Sequence, residues 1–285
     1  MENAADILFE QAAPGIRRLL APNPSAFTFT GTQTYVIGTG DVAVIDPGPD
    51  DPAHVAHLLK ALGGEKVASI LVTHTHRDHS PASRPLAAAT GAPILGCAPL
   101  AIPDDGPRAD AGFDFDYAPD VVLGDGGRVS GDDWTLEAVA TPGHTSNHLC
   151  FAWPERGALF TGDHVMGWST TIVSPPDGDM AAYMASLERL LERDDLVYYP
   201  THGPAITEPK AHVRALIAHR KSREAQILAA LEDGEGIITD MVPVLYRETD
   251  PGLYPAAARS VLAHLLDLEA RGRVRRSGEQ WRLAA

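Results

Sequence analysis

Thr73-His74-Thr75-His76-Arg77-Asp78-His79 follows directly on the apolar run Ala68-Ser69-Ile70-Leu71-Val72. The run reads as a buried strand, and three imidazoles and a carboxylate crowd in where that strand should end. Their shared desolvation calls for a compensating cation, so the stretch reads as half of a metal site. In extended backbone, residues two apart point the same way. His74 and His76 can therefore grip one ion, and the turn that follows redirects Asp78 and His79 toward a second. The plain alternative is a solvated, histidine-rich loop, and partners elsewhere in the chain weigh against it.

Upstream, Thr34-Tyr35-Val36-Ile37 and Val42-Ala43-Val44-Ile45 flank Gly38-Thr39-Gly40-Asp41, the signature of a hairpin that Asp46-Pro47-Gly48-Pro49 ends. Val55, Ala56, Leu58, Leu59 and Leu62 keep helical spacing up to Gly63-Gly64, and a short helix is predicted from Ser80 into Ala87-Ala88-Ala89, stopped at Gly91. From Ala98 to Asp120 the chain reads as an acidic insertion over one face. Strands resume at Val121 to Leu123, Thr135 to Ala140, Leu149 to Trp153 and Ala158 to Thr161, and these predict a second sheet. An amphipathic helix over 179–193 and a strand at Val197-Tyr198-Tyr199 complete it. Strands interleaved with helices indicate an α/β layered domain rather than a bundle.

Three further strand ends repeat the same grammar: Pro142-Gly143-His144-Thr145, Thr161-Gly162-Asp163-His164 and Pro200-Thr201-His202-Gly203. Each sets an imidazole or carboxylate beside glycine just past an apolar strand, where a sheet edge can fix it around a cavity. One such histidine would be an ordinary surface residue, but four clusters of one pattern are hard to obtain by chance. His54, His57, His212 and His264 fall on predicted helices and read as solvated or packed residues. His148 stands where it could support the ligands from behind. His164 should face away from Asp163 and is assigned a structural role.

With 44% apolar and 21% charged residues, the 285-residue chain has the composition of a globular protein. No apolar run approaches the roughly 20 residues of a membrane span, and Met1-Glu2-Asn3-Ala4-Ala5-Asp6 lacks the cationic start of a signal peptide, so a cytoplasmic protein without membrane contacts is expected. Cys97 and Cys150 read as buried thiols with no chemistry. The net charge of −15 disfavours broad binding to nucleic acid, but the charge is uneven. Residues 1–207 hold 11 Lys/Arg and 27 Asp/Glu, whereas residues 208–285 hold 12 and 11. At the same point the text becomes mostly helical and then ends in two short strands around Ser277-Gly278, like a winged helix. The division predicted is therefore a catalytic domain over 1–207 and a winged-helix-like domain over 208–285.

His74-x-His76-x-Asp78-His79 followed by His144, Asp163 and His202 resembles the complete ligand set of the metallo-β-lactamase fold, an αββα sandwich, over roughly residues 25–207. Thr161-Gly162-Asp163-His164-Val165-Met166-Gly167 with Thr170-Thr171, and His219-Arg220-x-x-Arg223-Glu224, further resemble the β-lactamase-like protein 2 subfamily, which carries a C-terminal winged helix. The resemblance implies that His74, His76 and His144 hold one metal, that Asp78, His79 and His202 hold the other, and that Asp163 bridges them. A donor set of imidazoles and carboxylates without thiolates suits two Zn²⁺ ions and also accepts Mn²⁺ or Fe²⁺. Two adjacent cations can lower the pKa of a shared water from 15.7 to about 7 and so provide a bridging hydroxide, with Asp78 orienting it.

The expected activity is metal-dependent hydrolysis of a small ester, thioester or lactone, with any β-lactam cleavage incidental. The alternatives are a single-stranded RNA endoribonuclease and a non-enzymatic winged-helix regulator with a metal-sensing domain. Trp168, Thr170, Thr171, His219, Arg220 and Arg223 are the candidate substrate contacts, and the arginines read either as an anion-recognising surface or as a helix face paired with Glu224 and neighbouring acids. A small molecule is the expected partner, RNA is the alternative, and a homodimer is compatible with both.

Overall fold

The computed structural model describes residues 9–102, 112–234 and 236–284. Its first sheet holds β1 (Glu10–Ala13), β2 (Ile16–Leu20), β3 (Gln33–Ile37), β4 (Asp41–Ile45), β5 (Lys66–Val72), β6 (Ile94–Gly96) and β7 (Val121–Val122), side by side in chain order. β1 to β4 pair antiparallel and β4 to β7 parallel. Parallel neighbours need crossovers, and α1 (Pro52–Leu62) and α2 (Ser83–Thr90) supply the first two. Local chemistry sets the bounds of α1. The Asp51 carboxylate accepts from the Ala53 N–H at 2.9 Å, proline occupies the first position, and Gly63 closes the helix at φ 60°.

The second sheet runs β12-β11-β10-β9-β8, with β8 (Arg128–Ser130), β9 (Thr135–Ala140), β10 (Leu149–Trp153), β11 (Ala158–Gly162) and β12 (Val197–Pro200). Its one parallel pairing, β11 with β12, is bridged by α3 (Met180–Leu191). Period-two alternation sorts its side chains. Leu149, Phe151 and Trp153 of β10 join Tyr35, Ile37 and Ile45 in the core between the sheets, while Cys150 and Ala152 face the opposite way onto Tyr183, Leu187 and Leu190 of α3. The result is an αββα sandwich.

A third core lies beyond it, under α4 (Pro209–Glu232), α5 (Ile238–Leu245), α6 (Tyr254–Ala270) and the hairpin of β13 (Val274–Ser277) with β14 (Gln280–Leu283). α4 belongs to two cores at once. Val213, Leu216 and Ile217 join α3 in the core beneath the second sheet, and Ile227, Ala230 and Leu231 pack under the hairpin. At 1.5 Å per residue the helix is about 36 Å long, enough to run through both. α6 also reaches back: Ala263 joins the catalytic-domain core, and Arg259 Nε donates to Ser174 Oγ at 3.2 Å.

Some expectations shift. Val121–Val122 is the edge of the first sheet, paired with β6, and not part of the second. β1, β2, β6 and β8 carry no clear signal in the sequence: β6 and β8 have three residues each, and β2 places Arg17 and Arg18 inside a strand. Ion pairs with Glu65 and Glu10, both at 2.6 Å, accommodate those arginines. Asp104-Asp105-Gly106-Pro107 of the acidic insertion and Met1 to Asp6 lie outside the described residues. Both cysteines are buried and unpaired, and burial pushes the Cys150 thiol up to about 12. Among the described residues, no helix is long and apolar enough to cross a membrane.

Candidate metal centre

The ends of β4, β5, β11 and β12 and the turn between β9 and β10 meet at one rim of the sandwich, and every predicted metal ligand sits there. Glycine makes the approach feasible. Gly143 has φ 138°, and a Cβ on it would stand 2.3 Å from Tyr183 Cα, so only glycine lets the His144 turn lie against α3.

Two sets of converging donors result. In the first, the ligand atoms of His74, His76, His144 and Asp163 all lie within 4.8 Å of one another. His76 Nδ1 is 3.0 Å from both His74 Nε2 and His144 Nε2. The outward nitrogens fix the tautomers. His144 Nδ1 donates to the Ile172 carbonyl at 2.7 Å, and His74 Nδ1 donates to Thr73 Oγ1 at 2.9 Å, whose own proton goes to Asp46. The inward Nε2 atoms of His74 and His144 are thus lone pairs. Burial and the surrounding imidazoles, His79 first, keep the His74 pKa well below the usual histidine range.

In the second set, His202 Nε2 is 3.2 Å from Asp78 Oδ2 and 3.3 Å from Asp163 Oδ1. His79 Nε2 is 3.2 Å from Asp78 Oδ2 and 3.4 Å from Asp163 Oδ2, without forming a hydrogen bond to either. Asp163 Oδ2 is also 3.8 Å from His144 Nε2, so this carboxylate spans both sets. Burial opposes charge throughout, but the mutual attraction of the ions outweighs it. Asp78 and Asp163 are held well below the usual carboxylate range, His79 is held well above the histidine range, and His202 is raised to about 10.

This donor set fits divalent cations. Tetrahedral metal–nitrogen bonds of about 2.0–2.1 Å put neighbouring donors roughly 3.3 Å apart, which is the spacing seen here. The inward Nε2 lone pairs of His74 and His144 converge on one His76 nitrogen, which can donate a proton to only one of them, and the carboxylates would otherwise need protonated imidazoles; both are arrangements that two cations relieve.

Asp46 is the member that the sequence hid. Read as turn punctuation, it is 1% exposed at φ 47°, and its carboxylate gathers the loops. It accepts from Thr73 N at 2.8 Å, Thr73 Oγ1 at 2.7 Å and His79 Nδ1 at 3.0 Å, so it orients His79 with Nε2 inward. An amide offers one acceptor oxygen where this carboxylate serves four donors, Thr201 Oγ1 at 3.4 Å being the fourth. Asp46→Asn is therefore expected to lower metal affinity or turnover by about 10–100-fold, measured as metal retained on dialysis and as hydrolysis rate.

The other histidines sort as their contexts suggest. His148 stands behind the ligands, with Nδ1 on Thr141 Oγ1 at 2.9 Å and Nε2 accepting from Asp163 N at 3.2 Å. His164 is buried against Tyr183, with ring centroids 5.0 Å apart, and burial pushes its pKa down to about 3. His54 and His264 are buried, and His212 donates to the Met166 carbonyl at 3.1 Å.

Above the ligands is a niche of about 40 Å³ walled by Phe27, Met166 and Ile172. The same three residues line a neighbouring cavity of about 260 Å³, and there the structure brings together Trp168, Thr170, Thr171, His219, Arg220 and Arg223, all six predicted contacts. Trp168 stacks on Phe29 at its edge, with centroids 4.9 Å apart. Glu224 does not pair with Arg220 or Arg223; it bonds Arg271 instead.

Comparison with known proteins agrees with this geometry. Residues 27–202 match the Metallo-beta-lactamase superfamily, and residues 238–281 match the Beta-lactamase associated winged helix domain. A Beta-lactamase-like protein 2 homolog of Drosophila melanogaster is 35% identical over 90% of this chain and 89% of its own length. An Atrochrysone carboxyl ACP thioesterase of Claviceps purpurea is 33% identical over 78% of this chain and 67% of its own. A crystal structure of a beta-lactamase domain protein from Burkholderia ambifaria, 21% identical, superposes with a TM-score of 0.78 over 99% of this chain and 96% of that one. The chain therefore belongs to the metallo-beta-lactamase superfamily of metal-dependent hydrolases and carries the winged helix associated with it.

Proposed function

We propose that the protein hydrolyses a small thioester or ester, with lactones as related substrates. The observation that carries this reading is the shared wall: Phe27, Met166 and Ile172 face both the niche over the ligands and the larger cavity. An acyl chain seated in that cavity presents its carbonyl to the ligand cluster. The names of the thioesterase relatives support the same reading.

His74, His76 and His144 would hold one cation, Asp78, His79 and His202 a second, with Asp163 between them, and nitrogen and oxygen donors without sulfur suit Zn²⁺. Two such ions, when bound, supply Lewis acidity and activate the attacking water. The residues of the chain do the rest. Thr32 Oγ1 donates to Asp78 Oδ2 at 3.0 Å and so fixes the carboxylate best placed to orient that water. The apolar wall keeps bulk water from the acyl carbon and aligns it.

A second reading, RNA cleavage, draws on the β13–β14 hairpin, which exposes Arg275, Arg276 and Arg282. The regulator reading lapses with membership of a hydrolase superfamily. Protein purified without added metal is expected to contain divalent ions and to cleave thioesters or esters in preference to β-lactams, phosphodiesters and RNA. Chelation should abolish the activity. RNA cleavage that falls steeply with salt, alongside inert thioesters and esters, would instead establish the nuclease.

A further inference from the structure

Arg220 sits where an apolar residue belongs. The buried stripe of α4 runs through Val213, Leu216, Ile217, Arg220, Ile227, Ala230 and Leu231, at the spacing of one helix face. The arginine is 3% exposed. Among the described residues it has no carboxylate partner: it donates to the Thr171 carbonyl, its guanidinium lies 5.2 Å over the Tyr183 ring, and its Nε has no hydrogen-bond partner.

One turn on, Arg223 is half-buried and equally without an acid. Its guanidinium lies 3.9 Å over the Tyr246 ring and donates to Gln226 and to the Leu245 carbonyl. Both arginines line the 260 Å³ cavity, with His219 beside them, and among the described residues no Asp or Glu lines it, in a chain of net charge −15. Guanidinium cannot shed its proton, and a buried charge without a counterion is costly. The imbalance is felt nearby. His264 is pushed down to about 3, first by burial and then by Arg220 and Arg223.

We infer that this cavity recognises a carboxylate on the substrate's acyl group, with Arg220 and Arg223 as its counter-charge and the apolar wall holding the chain between carboxylate and scissile carbonyl. This rests on the acyl-hydrolase reading and narrows it to acids carrying a second, free carboxyl group. The contact with Thr171 gives Arg220 a rival role. Thr171 Oγ1 donates to the Asp163 carbonyl, so the arginine could merely brace the loop that carries Asp163. Bracing would slow every substrate alike, whereas anion recognition changes the ratio between substrates.

The test compares, with metal-loaded full-length protein, a thioester whose acyl chain ends in a carboxylate and one ending in the isosteric primary amide. The wild type is expected to favour the acid by at least about tenfold in kcat/KM, the scale of one charge-assisted hydrogen bond. Arg223→Gln and Arg220→Gln should bring that ratio close to one. Arg223, being only half-buried, provides the test should the Arg220 variant fail to fold. A wild-type ratio near one, equal slowing of both substrates, or an acid preference that survives in the folded variants would overturn the inference; in the last outcome the metals bind the carboxylate. If no thioester or ester is cleaved, the acyl-hydrolase reading fails by itself. Calorimetry with the uncleavable thioether acid and amide then reads the same ratio as affinity: tighter acid binding lost in Arg223→Gln supports recognition, and equal binding refutes it.

Discussion

Asp163→Asn is expected to leave a folded protein that retains at most one metal ion per chain and hydrolyses substrate more than about 100-fold more slowly, exceeding the cost of losing an outer supporting group. Its two carboxylate oxygens address different partners: Oδ1 faces His202 at 3.3 Å, and Oδ2 faces His79 at 3.4 Å and His144 at 3.8 Å. Asparagine keeps the shape but replaces one acceptor with an NH₂ group aimed at imidazole lone pairs, and removes the negative charge that offsets two cations. Metal analysis of the purified variant beside its circular dichroism spectrum checks this. Two retained ions with an undiminished rate would show that Asp163 bridges nothing.

The second large effect concerns the C-terminal segment. A chain ending at Thr207 loses Val213, Leu216, Ile217 and Ala263 from the core beneath the second sheet. Burying each of the three large side chains is worth roughly 1.5–3 kcal/mol. Together they rival the ~5–15 kcal/mol net stability of a typical domain. The expected product is aggregated or loosely packed and inactive, since Arg220, Ala256 and Ala257 of the cavity wall leave too. Soluble yield, thermal melting and turnover measure it, and a well-folded, fully active fragment would contradict the packing described here.

The ligand set was legible in the sequence because each member sits at the end of a strand whose apolar run is plain to read, and because the pattern repeats. Asp46 sits at such an end too, but proline and glycine follow it, and its role depends on loops distant in sequence. β7 shows the same limit. Two residues carry no periodicity, and only the pairing with β6 decides which sheet takes them. In α4 the helix is legible, but whether Arg220 belongs to an anion-recognising surface or to a helix face paired with acids is not, because its burial depends on elements distant in sequence.

Asp46 and the His74 to His79 loop hang from the first sheet, whereas His144, Asp163 and His202 hang from the second. Bound ions would act as a rivet through the seam between the two layers. Any loosening that slides one layer past the other pulls the rivet's two halves apart, so catalysis must fail at the earliest parting of the layers, well before either unravels.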